Sequence, residues 1–270
     1  MIQRGRRAKT KRRNEIIFGS LIILFVMTSL AGIAYLMLTR EEGLDRTTLC
    51  PAKGPKGHYV LLVDKTDPLT FLQKEAFEVT LKELVERKIP EGYLLSVFAL
   101  GEDFKENAKP LIELCNPGRG DNKSAITNNP KKLERQYQEN FLKPFLKQSE
   151  QLLGKQSAET SPIFEMLQLV SINAFRTHDI KGERRLILMS DMLHNTPQFS
   201  MYKEKTLTDY AVFTTSDYGR KTQLNLHEVE IELHYLMNSP QFQTKRNLKF
   251  WEDYFNKAGA RIVIVNVLEG

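Results

Sequence analysis

The sequence predicts an α/β protein, a doubly wound and mostly parallel sheet with helices on both faces, preceded by one transmembrane helix. Three observations lead to this prediction. A run without charged residues lies near the start of the chain, from Ile16 to Leu38. After it, short apolar runs rich in β-branched residues alternate with stretches of helical periodicity. Strands that alternate with helices are typical of a parallel sheet whose crossovers cover both faces.

The N-terminal segment predicts a membrane anchor. Residues 1–15 carry seven basic residues and one acidic residue, which accounts for the formal net charge of +6 of the whole chain. The run 16–38 is long enough to cross a hydrocarbon core of about 30 Å. The positive-inside rule then places the N-terminus in the cytoplasm, with the rest outside the inner (cytoplasmic) membrane, in the periplasm or the exterior. A cleaved signal peptide is the competing interpretation, but its apolar region is usually only about 7–15 residues long.

Charge and cysteine content limit the classes of function. Because the tail holds the net charge, the remainder is neutral, and the pI of 9.1 is weak support for nucleic-acid binding by the domain. Cys50 and Cys115 both fall on the predicted outer side, where an oxidising compartment makes them candidates for a disulfide. Two buried free thiols remain the alternative. Neither cysteine has a neighbouring ligand at zinc spacing.

The first half of the soluble domain follows a polar linker, 39–57, that is rich in Pro, Gly and Lys. We expect the domain to span 58–270. The apolar run that stops at Asp64 predicts a strand buried on both faces, and the apolar spacing after it predicts an amphipathic helix ended by Pro90 and Gly92. The elements are a strand at 58–63, a helix at 69–87, a strand at 93–100 and an irregular stretch at 101–130.

The second half continues the alternation. Pro162 at a helix start and Gly259 at a helix end mark boundaries, and Pro144 predicts a kink. The strand near 229 alternates apolar with charged residues, which predicts a position close to a sheet edge. A stripe on the last helix, Trp251, Tyr254 and Phe255, predicts core packing. The elements are helices at 133–153 and 163–175, a strand at 184–191, a turn-rich segment at 195–226, a strand at 229–235, a helix at 245–258 and a strand at 261–267.

Polar side chains follow two of the buried strands. One strand ends in Asp64-Lys-Thr66-Asp67-Pro68, and the other ends in Ser190-Asp191. Ligands of open α/β sheets bind at the carboxyl ends of the strands, near the switch in strand order. Carboxylates together with hydroxyls suit a hard divalent cation such as Mg²⁺. The chain has no Gly-x-Gly-x-x-Gly and no Walker-type loop, so a nucleotide site would lack its phosphate cradle.

These elements resemble the three loops of a von Willebrand factor type A domain, and the order of elements agrees from about His58 to Gly270. The resemblance implies a metal-ion-dependent adhesion site, whose first loop has the pattern Asp-x-Ser-x-Ser. Asp64 and Thr66 match its first two positions, whereas Pro68 replaces the third ligand. Asp67 or Thr70 is a possible substitute, although neither sits at the family's spacing. The second-loop threonine is represented by Ser161 or Thr160, and Asp191 matches the aspartate of the third loop. The implied cation is Mg²⁺ or another divalent ion.

The function implied by the resemblance is protein–protein interaction, in which the metal takes a carboxylate from the partner. We therefore expect a membrane-anchored, non-enzymatic module of a larger assembly that binds membrane or extracytoplasmic proteins and no nucleic acid. A metal-dependent hydrolase using the Asp64 and Asp191 pair is the alternative, and His194 is its candidate base or metal ligand. A metal-free scaffold is a third possibility, in which both aspartates only cap helices and satisfy loop amides.

Overall fold

The computed structural model describes residues 3–38, 43–105, 107–121, 129–154, 158–178, 180–203 and 209–269. Residues 39–42 of the predicted linker, and parts of the two irregular segments, lie outside these ranges. The chain forms two compact units, Met1–Gly43 and Leu44–Gly270. The first unit contains helix α1, Gln3–Leu38. Its segment Ile17–Tyr35 has a mean hydropathy of 2.3 and is apolar and long enough to cross a membrane.

A six-stranded sheet forms the centre of the second unit. Its order is β3-β2-β1-β4-β5-β6, and every neighbouring pair is parallel except β2 and β3. The predicted fold class, a doubly wound and mostly parallel sheet, is therefore confirmed. The strands are β1 (His58–Asp64), β2 (Leu94–Leu100), β3 (Ile112–Cys115), β4 (Arg184–Ser190), β5 (Val229–Met237) and β6 (Arg261–Glu269).

The helices follow the predicted order, and the described ranges contain three π-helical turns. A π-helical turn continues α2 over Leu84–Lys88, separates α3 from α4 over Gln138–Leu142, and continues α5 over Ser171–Arg176. The second turn lies just before Pro144, where the sequence predicted a kink. The remaining helices are α2 (Phe71–Glu83), α3 (Pro130–Tyr137), α4 (Lys143–Leu152), α5 (Ile163–Val170), α6 (Tyr210–Thr215), α7 (Asp217–Lys221) and α8 (Lys245–Lys257).

Helices cover both faces of the sheet, as expected for strands buried on both sides. Successive residues of β1 alternate between two hydrophobic clusters, because neighbouring side chains of a strand point to opposite faces. Val60 and Leu62 pack with α5 and α8, whereas Leu61 and Val63 pack with α2, α3 and α4. The predicted stripe lies in the first cluster, and its Trp251 is fully buried.

The structure corrects one strand prediction and refines another. The stretch predicted as irregular contains β3, which pairs antiparallel with β2 at the sheet edge. β5, predicted nearer an edge, is the second strand from it, between β4 and the edge strand β6, but its charged face is not exposed. The turn-rich segment 195–226 also contains the short helices α6 and α7. Strand neighbours are set by long-range pairing, which local periodicity does not report.

The charged face of β5 is buried because its charges are paired. Glu232 is 1% exposed and His234 is 4% exposed. His234 Nε2 lies 3.0 Å from Glu232 Oε1, and Lys88 Nζ donates to the same oxygen at 3.1 Å. These contacts, led by the hydrogen bond with His234, lower the pKa of Glu232 to about 2. A buried carboxylate is tolerated only with such partners.

Candidate functional site

The two predicted aspartates meet at the switch point of the sheet. β1 and β4 are parallel neighbours, and Val63 is paired with Met189 one residue before the end of β4. From β1 the chain proceeds to β2 on one side, and it returns to β4 on the other. The loops after β1 and β4 therefore leave the same end of adjacent strands in opposite directions, which opens a crevice between them. Asp64 and Asp191 lie at its base.

The carboxylate of Asp64 is buried and accepts three hydrogen bonds. Thr66 donates to Oδ1 through its backbone N–H at 3.0 Å and through its hydroxyl at 2.6 Å. The hydroxyl of Ser190 donates to Oδ2 at 2.7 Å. Burial nevertheless raises the pKa of Asp64, and these hydrogen bonds oppose the shift. The first and third predicted loops are thus joined through this side chain.

Asp191 is less well satisfied. It is 3% exposed, and its Oδ1 accepts from the backbone N–H of Leu193 at 2.9 Å. Its Oδ2 is buried and has no hydrogen-bond partner. Burial raises the pKa of Asp191 well above its ordinary value, and the negative charges of Asp64 and Asp67 raise it further. Carboxyls placed this close disfavour one another's ionised form unless a cation lies between them.

The second predicted loop is tied to the other two by backbone hydrogen bonds. Ala158 N–H donates to Thr66 O at 3.0 Å, and Ser161 and Asn195 exchange two backbone bonds of 2.7 and 3.0 Å. Ser161 is 7% exposed, and its Oγ is buried without a partner. Thr160, the other candidate, is half-buried. The three loops that the sequence grouped by resemblance are therefore adjacent in space.

Asp67 and Tyr202 extend the site toward solvent. Asp67 is exposed, and its charge contributes to the raised pKa of both buried aspartates. Burial raises the pKa of Tyr202, and the negative charges of Asp191, Asp67 and Asp64 add to the shift. Tyr202 comes from the segment predicted only as turn-rich, so no sequence signal indicated it.

The donor set fits a hard divalent cation. It consists of carboxylate and hydroxyl oxygens, which such cations prefer, and two buried oxygens, Asp191 Oδ2 and Ser161 Oγ, lack a partner. Among the described residues, no three His, Cys, Asp or Glu side chains form a metal-holding group. A cation here would therefore depend on hydroxyls as well as on Asp64 and Asp191.

Pro68 contributes no side-chain ligand at the third position of the first loop. The structure instead places a hydroxyl from the third loop, that of Ser190, on Asp64. The sequence contained this residue next to Asp191, but its role depends on β1 and β4 being neighbours. Ser190 Oγ also accepts from the backbone N–H of Met192 at 2.9 Å, so it shapes the loop as well.

Two side chains that are distant in sequence from the third loop fix its backbone by hydrogen bonds. Gln243 donates to the carbonyl of Asp191 at 3.0 Å, and the indole N–H of Trp251 donates to the carbonyl of Met192 at 2.8 Å. Met192 has a φ of 56°, in the left-handed region that non-glycine residues rarely adopt. Strained residues held by their surroundings cluster at functional sites. Trp251, predicted as core, thus also fixes the loop that carries Asp191.

The burial and contacts of His194 indicate a structural role. It is fully buried, and burial lowers its pKa to about 3. Its Nε2 lies 3.2 Å from the hydroxyl of Thr196 and 3.0 Å from that of Tyr218, and the ring packs on Phe164. These contacts fix the ring within the aromatic core.

Cys50 and Cys115 are joined by a disulfide, with Cα atoms 4.8 Å apart. Residue 115 ends β3, and Cys50 belongs to the segment before β1. The bond ties the segment before β1 to the edge of the sheet, at the opposite end of the strands from the aspartates.

No protein-family model and no curated protein sequence matches the chain. Solved structures with a similar fold include an aerotolerance-related membrane protein from Bacteroides fragilis with multiple mutations to serines, at 11% identity and a TM-score of 0.36, covering 77% of this chain and 91% of that one. The VWA domain of SpRpn10 has 7% identity and a TM-score of 0.37, with 78% and 88% covered.

A third similar structure is the pilus adhesin SpaC from Lactobacillus rhamnosus GG in its open conformation. It has 7% identity and a TM-score of 0.40, and the match covers 82% of this chain but only 29% of the adhesin. At these identities and TM-scores the likenesses carry no argument about what this chain does. The strand order, the antiparallel edge strand and the meeting of three loops at the switch point are features of this chain's own structure. They agree with the von Willebrand factor type A-like fold that the sequence predicted.

Proposed function

We propose that the chain is a membrane-anchored, extracytoplasmic interaction module that binds a partner protein at the carboxyl end of its sheet, through a divalent cation such as Mg²⁺. The observation that carries the proposal is the set of oxygens at the switch point. Two buried carboxyls lie together there, and Asp191 Oδ2 and Ser161 Oγ are buried without partners. A buried polar atom costs about 1–3 kcal/mol when it is unsatisfied, and a cation bound between the loops would satisfy both of these oxygens.

Asp64, Thr66, Ser161 and Asp191 would hold the cation, with Asp67 at the solvent side. When bound, the cation supplies a positive position for an oxygen ligand from the partner. Asp64 is already oriented by Thr66 and Ser190, so binding would require little rearrangement. The left-handed Met192 and the bond from Gln243 keep the backbone of the third loop fixed.

The outer side of the cytoplasmic membrane is the location that fits the chain. The apolar segment Ile17–Tyr35 follows a tail with seven basic residues, and the positive-inside rule would keep that tail in the cytoplasm. The disulfide between Cys50 and Cys115 suits an oxidising compartment. A C-terminal alkaline phosphatase fusion, active only outside the cytoplasm, tests the orientation. An inactive fusion would contradict it.

The metal test compares the full chain in detergent with its Asp64→Ala variant. Calorimetric titration with Mg²⁺ or Mn²⁺ should give a saturable signal in the parent and none in the variant. Asp209→Asn is the control, because Asp209 is an exposed cap of α6 that accepts from Ala211 N–H. Pro68→Ser, which adds a hydroxyl at the third position, should tighten Mg²⁺ binding by about tenfold, or about 1.4 kcal/mol.

The same variants separate the alternatives. Turnover of p-nitrophenyl phosphate by the parent, lost in Asp64→Ala, would replace the interaction module with a metal-dependent hydrolase. Absence of both metal binding and turnover would leave a scaffold that binds through another face. Pull-down of the full chain from native membranes, with and without EDTA, then identifies a cation-dependent partner.

A further inference from the structure

The outermost strand, β6, is a long apolar edge. It pairs with β5 on one side, and no strand within the described residues pairs with its other side. Ile262 and Leu268 are half-buried, but the side chains between them are exposed although most are apolar: Val263 is 39% exposed, Ile264 and Val265 are 38% exposed, and Val267 is 55% exposed. In the part of the chain that the structure describes, the edge therefore combines a backbone that no strand pairs with and β-branched side chains, the combination that favours pairing with another strand.

The opposite edge of the sheet is protected in ways that β6 is not. β3 has only four residues and carries Glu113. Short strands and charges are common means of preventing edge-to-edge association. Between Ile262 and Leu268, β6 contains neither a charged residue nor a proline. Its one irregularity is a bulge at Val263, so the run Ile264–Leu268 is regular.

We propose that β6 pairs antiparallel with β6 of a second copy of this chain, about a two-fold axis at Asn266. In this register Asn266 lies opposite Asn266 of the other copy. Val265 lies opposite Val267, and Ile264 lies opposite Leu268. The amide side chains thus meet at the axis, with branched apolar pairs on either side. Cross-strand pairs of this kind stabilise antiparallel sheets.

In this register, each pair of opposed residues lies on the same face of the sheet. Val265 and Val267 are paired with Leu233 and Tyr235 of β5 and share one face of the sheet. Ile264, Asn266 and Leu268 share the other face, because strand side chains alternate. A two-fold axis perpendicular to the sheet keeps each residue on its face, so every proposed pair joins side chains on the same side. The bulge lies outside the five paired residues.

The charges at the ends of β6 favour a second copy in the antiparallel direction. Arg261, which is ion-paired with Glu230 of its own chain at 2.6 Å, begins the strand, and Glu269 ends it. In the proposed register Glu269 lies opposite Val263, two residues from Arg261 of the other copy, whereas parallel pairing would place the two Glu269 side chains together. The interface uses the same patch on both copies and closes on itself, which gives a dimer and not a filament.

Cysteine cross-linking of the full chain in detergent tests the register. The two natural cysteines are bonded to each other, so Asn266→Cys introduces a single free thiol. Paired Cβ atoms across an antiparallel ladder lie about 4.5–5.5 Å apart, close to disulfide reach. Mild oxidation should cross-link Asn266→Cys at least about tenfold faster than Asn256→Cys, an exposed control on α8, because pairing gives the thiols a high effective concentration. Mixed Val265→Cys and Val267→Cys copies should form the heterodimer in preference to either homodimer.

Light scattering tests the dimer itself. The parent should have twice the mass of one chain, and Val265→Lys should weaken association by at least about tenfold, because it places charges on the paired edge. Val79→Lys is the matched control, since Val79 is a 66% exposed valine on α2. Circular dichroism verifies that both variants fold. A monomeric parent, a dimer insensitive to Val265→Lys, equal cross-linking at 256 and 266, or polymers longer than two chains would each overturn the proposal.

Discussion

Asp191→Asn is expected to stabilise the cation-free domain and to abolish its response to Mg²⁺. Asp191 Oδ2 is buried without a hydrogen-bond partner, and the charges of Asp64 and Asp67 disfavour its ionised form. Asparagine keeps an oxygen for the bond from Leu193 N–H. It also presents an amide donor to the neighbouring carboxyls in place of a third negative charge. Removing an unsatisfied buried group of this kind is worth about 1–3 kcal/mol.

Thermal unfolding of the full chain in detergent measures the effect. In EDTA, a gain of about 2 kcal/mol should raise the Tm of this domain by about 4–8 °C. Mg²⁺ at about 100 times its Kd should stabilise the parent by about 2.7 kcal/mol, because it binds only the folded state. The variant should show no such shift. Asp209→Asn, at an exposed helix cap where asparagine serves equally well, should leave both responses of the parent unchanged.

Two results would refute this reasoning. A lower Tm for Asp191→Asn in EDTA would mean that the carboxylate satisfies its loop amides and is itself stabilising. An undiminished Mg²⁺ response in the variant would mean that the cation binds elsewhere. The first result would favour the metal-free scaffold, in which both aspartates have only a structural role.

Two further predictions concern the stability of the fold. At pH 7, Glu232→Gln should lower the free energy of unfolding by about 2 kcal/mol, because it removes the charge that His234 and the half-buried Lys88 contact. The folded pKa of about 2 lies below the usual value, so the stability that the carboxylate contributes is lost as pH falls from about 4.5 toward 2. Urea unfolding of parent and variant should therefore converge over that range. The Cys50–Cys115 disulfide has a sequence separation of 65 residues, so its reduction should lower the free energy of unfolding by about 4 kcal/mol. Dithiothreitol should lower the Tm of the parent but leave that of a Cys50→Ser, Cys115→Ser double variant unchanged.

The sequence alone predicted the elements whose signal is local. The apolar runs that end in Asp64 and Ser190 are strands buried on both faces, and the spacing around Trp251 is that of a core helix. Gly259 ends that helix at a φ of +82°. A strand buried on both faces and an amphipathic helix each have a characteristic pattern of apolar residues within a short segment. Both can therefore be predicted without knowing which elements pack beside them. The order of these elements was enough to predict the sheet class.

The tertiary structure decided what depends on residues distant in the chain. The alternation of β5 predicted a position nearer a sheet edge with one charged face exposed. The structure buries that face, where Lys88 contacts Glu232 across 144 positions. Ser190 orients Asp64 across 126 positions only because β1 and β4 are neighbours. Likewise, β6 becomes the exposed edge through its place in the strand order. Periodicity shows which face of a segment is apolar. The energy of a buried charge or of an unpaired edge depends instead on which partners the fold brings to it.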